Sequence, residues 1–310
     1  MYWEDIWRFE NSNEYEYKFA GNYGAKGEKR ERKEKPTPEQ IRKQNQRNRE
    51  NKVRRLIKAN FKENDCWNTL KYPAGTRMGI GQVKKHMDRF LRKARAEYRK
   101  QGYEFQYIYR IEIGKRGSPH VHILMNRIQD WDLIVKKCWE QGSYNYTPAY
   151  EAGGFKRLAE YITKQPSEEQ DPKGETKPYS CSRNLIRPQP ERREYKRRTL
   201  ERRIREGILP TEGYYIDEES VYYGVNRYTG MTYLKYIEYR LPEGGRRNAG
   251  NQPVYGHKCK IPAKADSEVS VHPGAADNRG AGDAGQDGAD GGNKAPYRGR
   301  DPEDGPGKST

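Results

Sequence analysis

The sequence predicts an α+β domain, a central antiparallel sheet with helices packed on one face, flanked by basic arms and a disordered C-terminal tail. Three observations carry that expectation. Between residues 65 and 165 the chain runs strand, helix, hairpin, helix, strand, helix. Its strand-like stretches alternate apolar and polar residues, whereas its helix-like stretches repeat apolar residues every third or fourth position. Gly114 to Pro119 supplies the turn chemistry that folds two strands into a hairpin.

Taken in order, residues 26–58 carry fourteen Lys or Arg against five acids, with Val53, Leu56 and Ile57 as their apolar cluster. They read as a basic arm ending in a short helix. Residues 65–72, which end at Pro73, form the first core strand. From Gly79 to Gly102 the spacing of Val83, Met87, Phe90, Leu91 and Ala94 predicts an amphipathic helix. Residues 104–113 and 120–125 are the two hairpin strands. A helix over 129–140 presents Trp131, Leu133, Ile134 and Trp139; a strand at 143–150 and a helix from Gly154 to Gln165, stopped by Pro166, complete the domain. Beyond it, residues 183–206 hold ten Lys or Arg against four Glu in a helix-compatible run. Residues 213–240, rich in Tyr, Ile and Val with a turn at 226–230, predict a second small β-element. From Pro262 onward Gly, Ala, Asp and Pro dominate, the composition of a disordered tail. The expected division is therefore a basic arm (1–59), a domain (60–166), a basic Tyr-rich accessory region (167–261) and the tail (262–310).

Composition narrows the partner. Of 310 residues 34% are charged and 32% apolar, and the formal charge is +17. Residues 262–310 hold six Lys or Arg against nine Asp or Glu, so the first 261 residues carry +20. Such a chain attracts a polyanion, with nucleic acid foremost. The 25 tyrosines, mostly within the basic part, suit single-stranded nucleic acid, although the same rings can simply cover a half-polar sheet. Four scattered cysteines without a C-x-x-C pair argue against a zinc ribbon or disulfide framework and fit a reducing cytoplasm. Neither a signal-peptide order nor an apolar run of membrane length is present, so a soluble intracellular protein is expected. Gly307-Lys308-Ser309-Thr310 imitates the end of a phosphate-binding loop, but Pro302 stands where the first glycine belongs and no helix can follow. This argues against an ATPase or helicase module.

The chemistry-bearing residues cluster in two places. Strand side chains alternate, so His120 and His122 share one face and Val121 and Ile123 the other. Glu112, near the end of the outgoing strand, can face the same way. Two imidazoles and a carboxylate form a ligand set for a divalent ion. The other histidines, His86, His257 and His272, stand alone in the sequence. In the helix from 154 to 165, Phe155, Leu158, Ala159 and Ile162 make the buried stripe, with Tyr161 at its edge and Lys164 and Gln165 beyond. A tyrosine there can lay its ring on the sheet while its hydroxyl reaches past the apolar boundary. Each pattern alone has a plain structural explanation, since H-x-H recurs by chance and half-buried helix tyrosines mostly pack. Their joint occurrence in a strongly basic chain is far more selective.

The ordered trio resembles the HUH endonuclease superfamily, in particular rolling-circle replication initiators similar to those of small single-stranded DNA phages and related mobile elements. Thr69-Leu70 with its flanks resembles the first motif, Pro119-His120-Val121-His122-Ile123-Leu124 the metal motif, and Tyr161-Ile162-Thr163-Lys164 the nucleophile motif. The resemblance covers about residues 60–166. It implies a HUH fold in which His120, His122 and Glu112 hold Mg²⁺ or Mn²⁺ and Tyr161 attacks single-stranded origin DNA. Lys164 would position the phosphate or help Tyr161 lose its proton. The products implied are a 5′-phosphotyrosine and a free 3′-hydroxyl, with a host polymerase and helicase as partners in a bacterial cytoplasm. Gln165 is the alternative third ligand, standing where related single-tyrosine transposases supply a glutamine; a carboxylate is the better ligand for these ions. Arg157 stands where some phage members carry a second tyrosine, which implies a one-tyrosine enzyme. A transposase or relaxase using the same chemistry, and a non-catalytic single-strand-binding protein, remain the competing readings.

Overall fold

The computed structural model describes residues 1–20, 35–114, 117–149, 154–165, 177–226, 231–241 and 259. The expected tail from 262, the turn residues 227–230, Pro166, His257 and the start of the basic arm lie outside the described residues. Strands β1 (Tyr2–Arg8) and β2 (Ser12–Phe19) open the chain, followed by helix α1 (Pro38–Asn60). Then come strand β3 (Cys66–Lys71), helix α2 (Ile80–Lys100), strands β4 (Tyr107–Ile113) and β5 (Pro119–Met125), helix α3 (Trp131–Cys138), strand β6 (Tyr144–Pro148) and helix α4 (Lys156–Thr163), in the predicted order. Strands β7 (Ser180–Cys181) and β8 (Glu191–Tyr195), helix α5 (Arg197–Glu206), and strands β9 (Tyr214–Ile216), β10 (Tyr222–Asn226) and β11 (Met231–Arg240) complete it. The α+β class and the antiparallel pairing hold, but in two sheets instead of one.

The first sheet has the order β6-β3-β5-β4-β7, every pair antiparallel. The β4–β5 turn closes with Gly114 N–H donating to Ser118 O at 2.9 Å, and Gly117 adopts φ 78°, a left-handed conformation that suits glycine. Helices cover both faces instead of the single face expected. On one face Val83, Met87, Phe90, Leu91, Ala94 and Tyr98 of α2, with Trp131, Ile134 and Val135 of α3, pack on Leu70, Val121 and Ile123. On the other, Val53, Leu56 and Ile57 of α1, with Ala159 and Ile162 of α4, pack on Ile108 and Leu124. The sheet therefore supports two cores, because β4 and β5 present apolar residues in both directions: Ile108 and Leu124 face one helix pair, Ile111 and Ile123 the other.

The basic arm is the larger correction. Its expected short helix is a 23-residue helix, started by a capping box in which Thr37 and Gln40 satisfy each other's backbone N–H groups, with Pro38 in the first turn. The first twenty residues are not an arm either. β1 and β2 pair with each other, and the second sheet runs β10-β11-β2-β1-β8 with β9 on β11. The region 213–240 does form the β-element predicted for it, and residues 183–206 divide between β8 and α5. The N-terminal strands escaped notice because Glu14, Glu16 and Lys18 alternate with Tyr15, Tyr17 and Phe19, which looks like a solvated segment until the charges find partners.

Those partners are on α1, which lies between the sheets. Its Arg54 and Arg55 approach Glu14 Oε2 at 2.8 and 2.9 Å, Lys58 approaches Glu14 Oε1 at 3.0 Å, and Arg55 reaches Glu16 at 2.6 Å. Arg55 also lies 3.4 Å from the centre of the Trp7 ring. Burial pushes the Glu14 carboxyl up, yet Arg54, Lys58 and Arg55 outweigh it and bring it down to about 2. Lys58 further touches the start of α4: Gly154 has φ +60°, and a Cβ there would stand 2.7 Å from Lys58 Cε and 3.0 Å from the Tyr239 hydroxyl. Only glycine admits that approach.

Removing one partner of a buried ion cluster leaves the rest uncompensated, so Glu14→Ala is expected to cost about 3–5 kcal/mol in denaturant unfolding. Because the folded-state pKa of Glu14 is depressed, its contribution is complete above the ordinary carboxylate range and is lost as pH falls toward about 2. Thermal midpoints of the wild type measured across that window should fall more steeply than those of Glu14→Ala.

Candidate active site

Register alone assembles the site. In the β4–β5 pair Glu112 is opposite His120 and Arg110 opposite His122; in the β3–β5 pair Lys71 is opposite His120 and Thr69 opposite His122. Two cross-strand rows result, Thr69–His122–Arg110 and Lys71–His120–Glu112, both on the face that carries α4. Glu112, His120 and His122 each offer one ligand atom, and these atoms lie within 4.8 Å of one another. The Glu112 Oε2 distances are 3.8 Å to His120 Nε2 and 3.6 Å to His122 Nε2. Ligands bonded to one cation at about 2.1 Å can stand at most about 4.2 Å apart, so these separations suit a shared divalent ion. The donor set, two imidazoles and a carboxylate, fits it chemically as well.

Tyr161 completes the cluster from α4. Its hydroxyl donates to Glu112 Oε2 at 2.9 Å and lies 2.8 Å from His122 Nε2. Its ring meets Trp67 edge-on at 5.9 Å, while Trp67 stacks on His122 at 5.6 Å with 14° between planes. The His122 ring is clamped further by Thr69 Oγ1, 3.1 Å from Nδ1. Burial, reinforced by His120, lowers His122 to about 4 against the opposing pull of Glu112, so the ring is neutral at pH 7. When Nδ1–H donates to Thr69, Nε2 is left with a free lone pair for a cation or for the Tyr161 proton. Burial, then the hydrogen bond to Glu112, raises the Tyr161 phenol above its ordinary value, with Arg110 pulling the other way. The phenol thus keeps its proton at neutral pH, although the side chain remains 37% exposed and reachable.

Sequence reasoning missed Arg110. It is 4% exposed, donates through Nη1 to the Tyr161 carbonyl, lies 5.3 Å from the centre of the Tyr161 ring and places Nε 3.9 Å from Glu112 Oε2. Its signal was available, a lone cation in an otherwise apolar strand, two residues before Glu112 and so on the same face. Trp67, two residues before Thr69, carried the same kind of signal.

Residues 65–166 match the family model of the replication-associated protein ORF2, a family of phage rolling-circle replication initiators. The segment is therefore similar to those initiators, as the motif trio implied, and a DNA-binding replication protein of a phage or mobile element is the class indicated. The match takes in about a third of the chain, from the start of β3 to just past α4. No curated protein and no solved structure matches the chain.

Within this segment the structure brings together Glu112, His120, His122 and Tyr161. It sets Lys164 and Gln165 elsewhere: both are exposed and line the groove between α4 and α1. Arg157 is exposed on the outer side of α4, and His86 pairs with Tyr72, its Nδ1 3.2 Å from the hydroxyl. The four cysteines are free, and among the described residues no helix is long and apolar enough to cross a membrane.

A hydrogen-bond partner behind a ligating histidine typically governs metal affinity by about 10–100-fold. Titration of the protein with Mn²⁺, followed by the electron paramagnetic resonance of the free ion, should show binding weakened roughly tenfold by Thr69→Val and abolished by His122→Ala.

Proposed function

We propose that this protein is a rolling-circle replication initiator that nicks single-stranded origin DNA through Tyr161. The observation carrying the reading is the Tyr161 hydroxyl, 2.8 Å from His122 and 2.9 Å from Glu112, in a segment similar to phage replication initiators. In the reaction the Tyr161 oxygen forms a bond to the scissile phosphorus as the bond from phosphorus to the 3′-oxygen breaks. The products are a 5′-phosphotyrosine and a 3′-hydroxyl end, and the energy of the phosphodiester is conserved. Reversal, with a 3′-hydroxyl attacking the phosphotyrosine, rejoins strands.

Glu112, His120 and His122 would hold the divalent ion, Mg²⁺ or Mn²⁺, whose chemistry is to neutralise charge developing on the phosphate oxygens. The remaining work falls to the chain. Glu112 and His122 hold the phenolic proton at Oε2 and Nε2 and are the groups placed to take it. Arg110, bound to the Tyr161 carbonyl, fixes the last turn of α4 against β4 and so aims the nucleophile. Lys164 follows Tyr161 by one helical turn and would contact a phosphate of the bound strand. Gln165, in the same groove, gives way to Glu112 as the third ligand. With Arg157 at the position of a second tyrosine, one nucleophile serves each cleavage. Extension of the released 3′-hydroxyl requires a polymerase and a helicase from the host, which sets the proposed place of action in the bacterial cytoplasm.

The test is incubation with Mn²⁺ and labelled single-stranded DNA from the protein's own replicon, followed by a denaturing gel. A covalent adduct is expected for the wild type and none for Tyr161→Phe or with chelator, while DNA affinity of the variant stays within about twofold. Tight binding without any adduct would replace this reading with that of a non-catalytic single-strand-binding protein.

A further inference from the structure

Helices α1 and α4 are joined where Gln46 Nε2 reaches Thr163, 3.3 Å from its carbonyl oxygen and 3.2 Å from its hydroxyl. Beside that joint lies a groove of about 660 Å³. Arg42, Lys43, Arg47 and Arg49 line it from α1 and Lys164 from α4, with Glu50 and Glu160 as the acids. Five cations therefore converge with two carboxylates. The available pairing offsets this excess only weakly. Lys43 and Glu39 stand 3.1 Å apart, but both side chains are 71% exposed, where an ion pair is worth little. The cations come from helices more than a hundred positions apart in the chain, so their convergence is a product of the fold and not of a local charge run. Concentrating like charges in a concave site raises the local potential and favours a polyanion over isolated counter-ions.

Position strengthens the inference. The groove adjoins the last turn of α4, where the Lys164 N–H donates to the Tyr161 carbonyl at 3.3 Å, and Gln46 braces the same turn through Thr163. The opposite side of α1 is fully engaged by Glu14 and Glu16, which leaves this basic face as the part of the helix open to a ligand. We propose that the α1–α4 groove is a binding site for the sugar-phosphate backbone of single-stranded DNA, gripping the strand beside the scissile phosphate and holding it in line with Tyr161. The choice of DNA as the polyanion rests on the function proposed above; the groove extends that function to a surface built mostly outside the residues similar to phage initiators.

The test compares two charge-matched triple variants of the full chain. One carries Arg42→Gln, Lys43→Gln and Arg47→Gln; the other carries Lys85→Gln, Arg92→Gln and Arg99→Gln, exposed positions of α2 on the far side of the first sheet. Affinity for a fluorescein-labelled oligothymidylate is measured across a salt series. Each single-strand phosphate contact contributes about 0.7 to the slope of log affinity against log salt, so the groove variant should lose about 2 in slope and at least about tenfold in affinity. The α2 variant should change less than about twofold. Equal weakening of both would reduce the groove to one part of a general positive field and overturn the proposal. Acetylation of the wild-type protein gives a measurement free of folding effects: oligothymidylate should protect Lys43 and Lys164 and leave Lys85 reactive, and equal reactivity with and without DNA would also overturn it. Since binding and adduct formation are read separately, absence of the Tyr161 adduct would defeat the nicking reading while leaving the groove comparison intact.

Discussion

Glu14 meets three cations of one helix, and that meeting governs how the rest of the molecule fits together. Helix α1 presents Val53, Leu56 and Ile57 to the first sheet and Arg54, Arg55 and Lys58 to the second. Burying the apolar side necessarily drags the basic side out of water, and unpaired cations there would cost several kcal/mol each. Glu14 and Glu16 remove that cost, so the helix can act as a wall common to both sheets. Because α1 in turn braces α4 through Gln46 and Thr163, and crowds Gly154 at its start through Lys58, the placement of Tyr161 follows from an ion cluster in the other sheet.

The site itself shows how little specialised structure this chemistry demands. Antiparallel register delivers three side chains from β4 and β5 to one face, and a single short helix adds the fourth. What distinguishes the site is electrostatic. A buried, neutral imidazole, a carboxylate and a protonated phenol converge next to a buried guanidinium. Of the Arg110 contacts, two restrain Tyr161 and one offsets the charge of Glu112, so a single residue links the ligand strand to the nucleophile helix.

How much of this could be read from the residues depended on how local the cause was. The hairpin, the α2 stripe and the shared face of His120 and His122 follow from periods of two and 3.6, which any short window displays. Tyr161 at the edge of a buried stripe was legible for the same reason. Helices on both faces of the sheet were less so, because a strand buried on both sides has no polar face to betray it; Ile108 and Leu124 look like ordinary core. The N-terminal strands were hidden more deeply. Asp5, Glu14 and Glu16 announce a solvated surface, and only their cations, some forty residues on in α1 and near residue 192 in β8, explain why they are buried. Lys164 was correctly placed near Tyr161 along the chain, but rotation around the helix turns it toward α1.

The second sheet also imposes a sequence of events during synthesis. β1 and β2 are the first strands made, whereas β8 and β11, which flank them, emerge roughly 180–220 residues later, about 10–40 s at ordinary translation rates. For that interval the hairpin has both edges open, the condition under which strands recruit the wrong neighbours. Its alternate residues are acids, and the helix that neutralises two of them follows directly in the chain. The carboxylates that later lock α1 in place therefore first serve as repulsive guards on a nascent hairpin, keeping copies apart until the proper strands arrive.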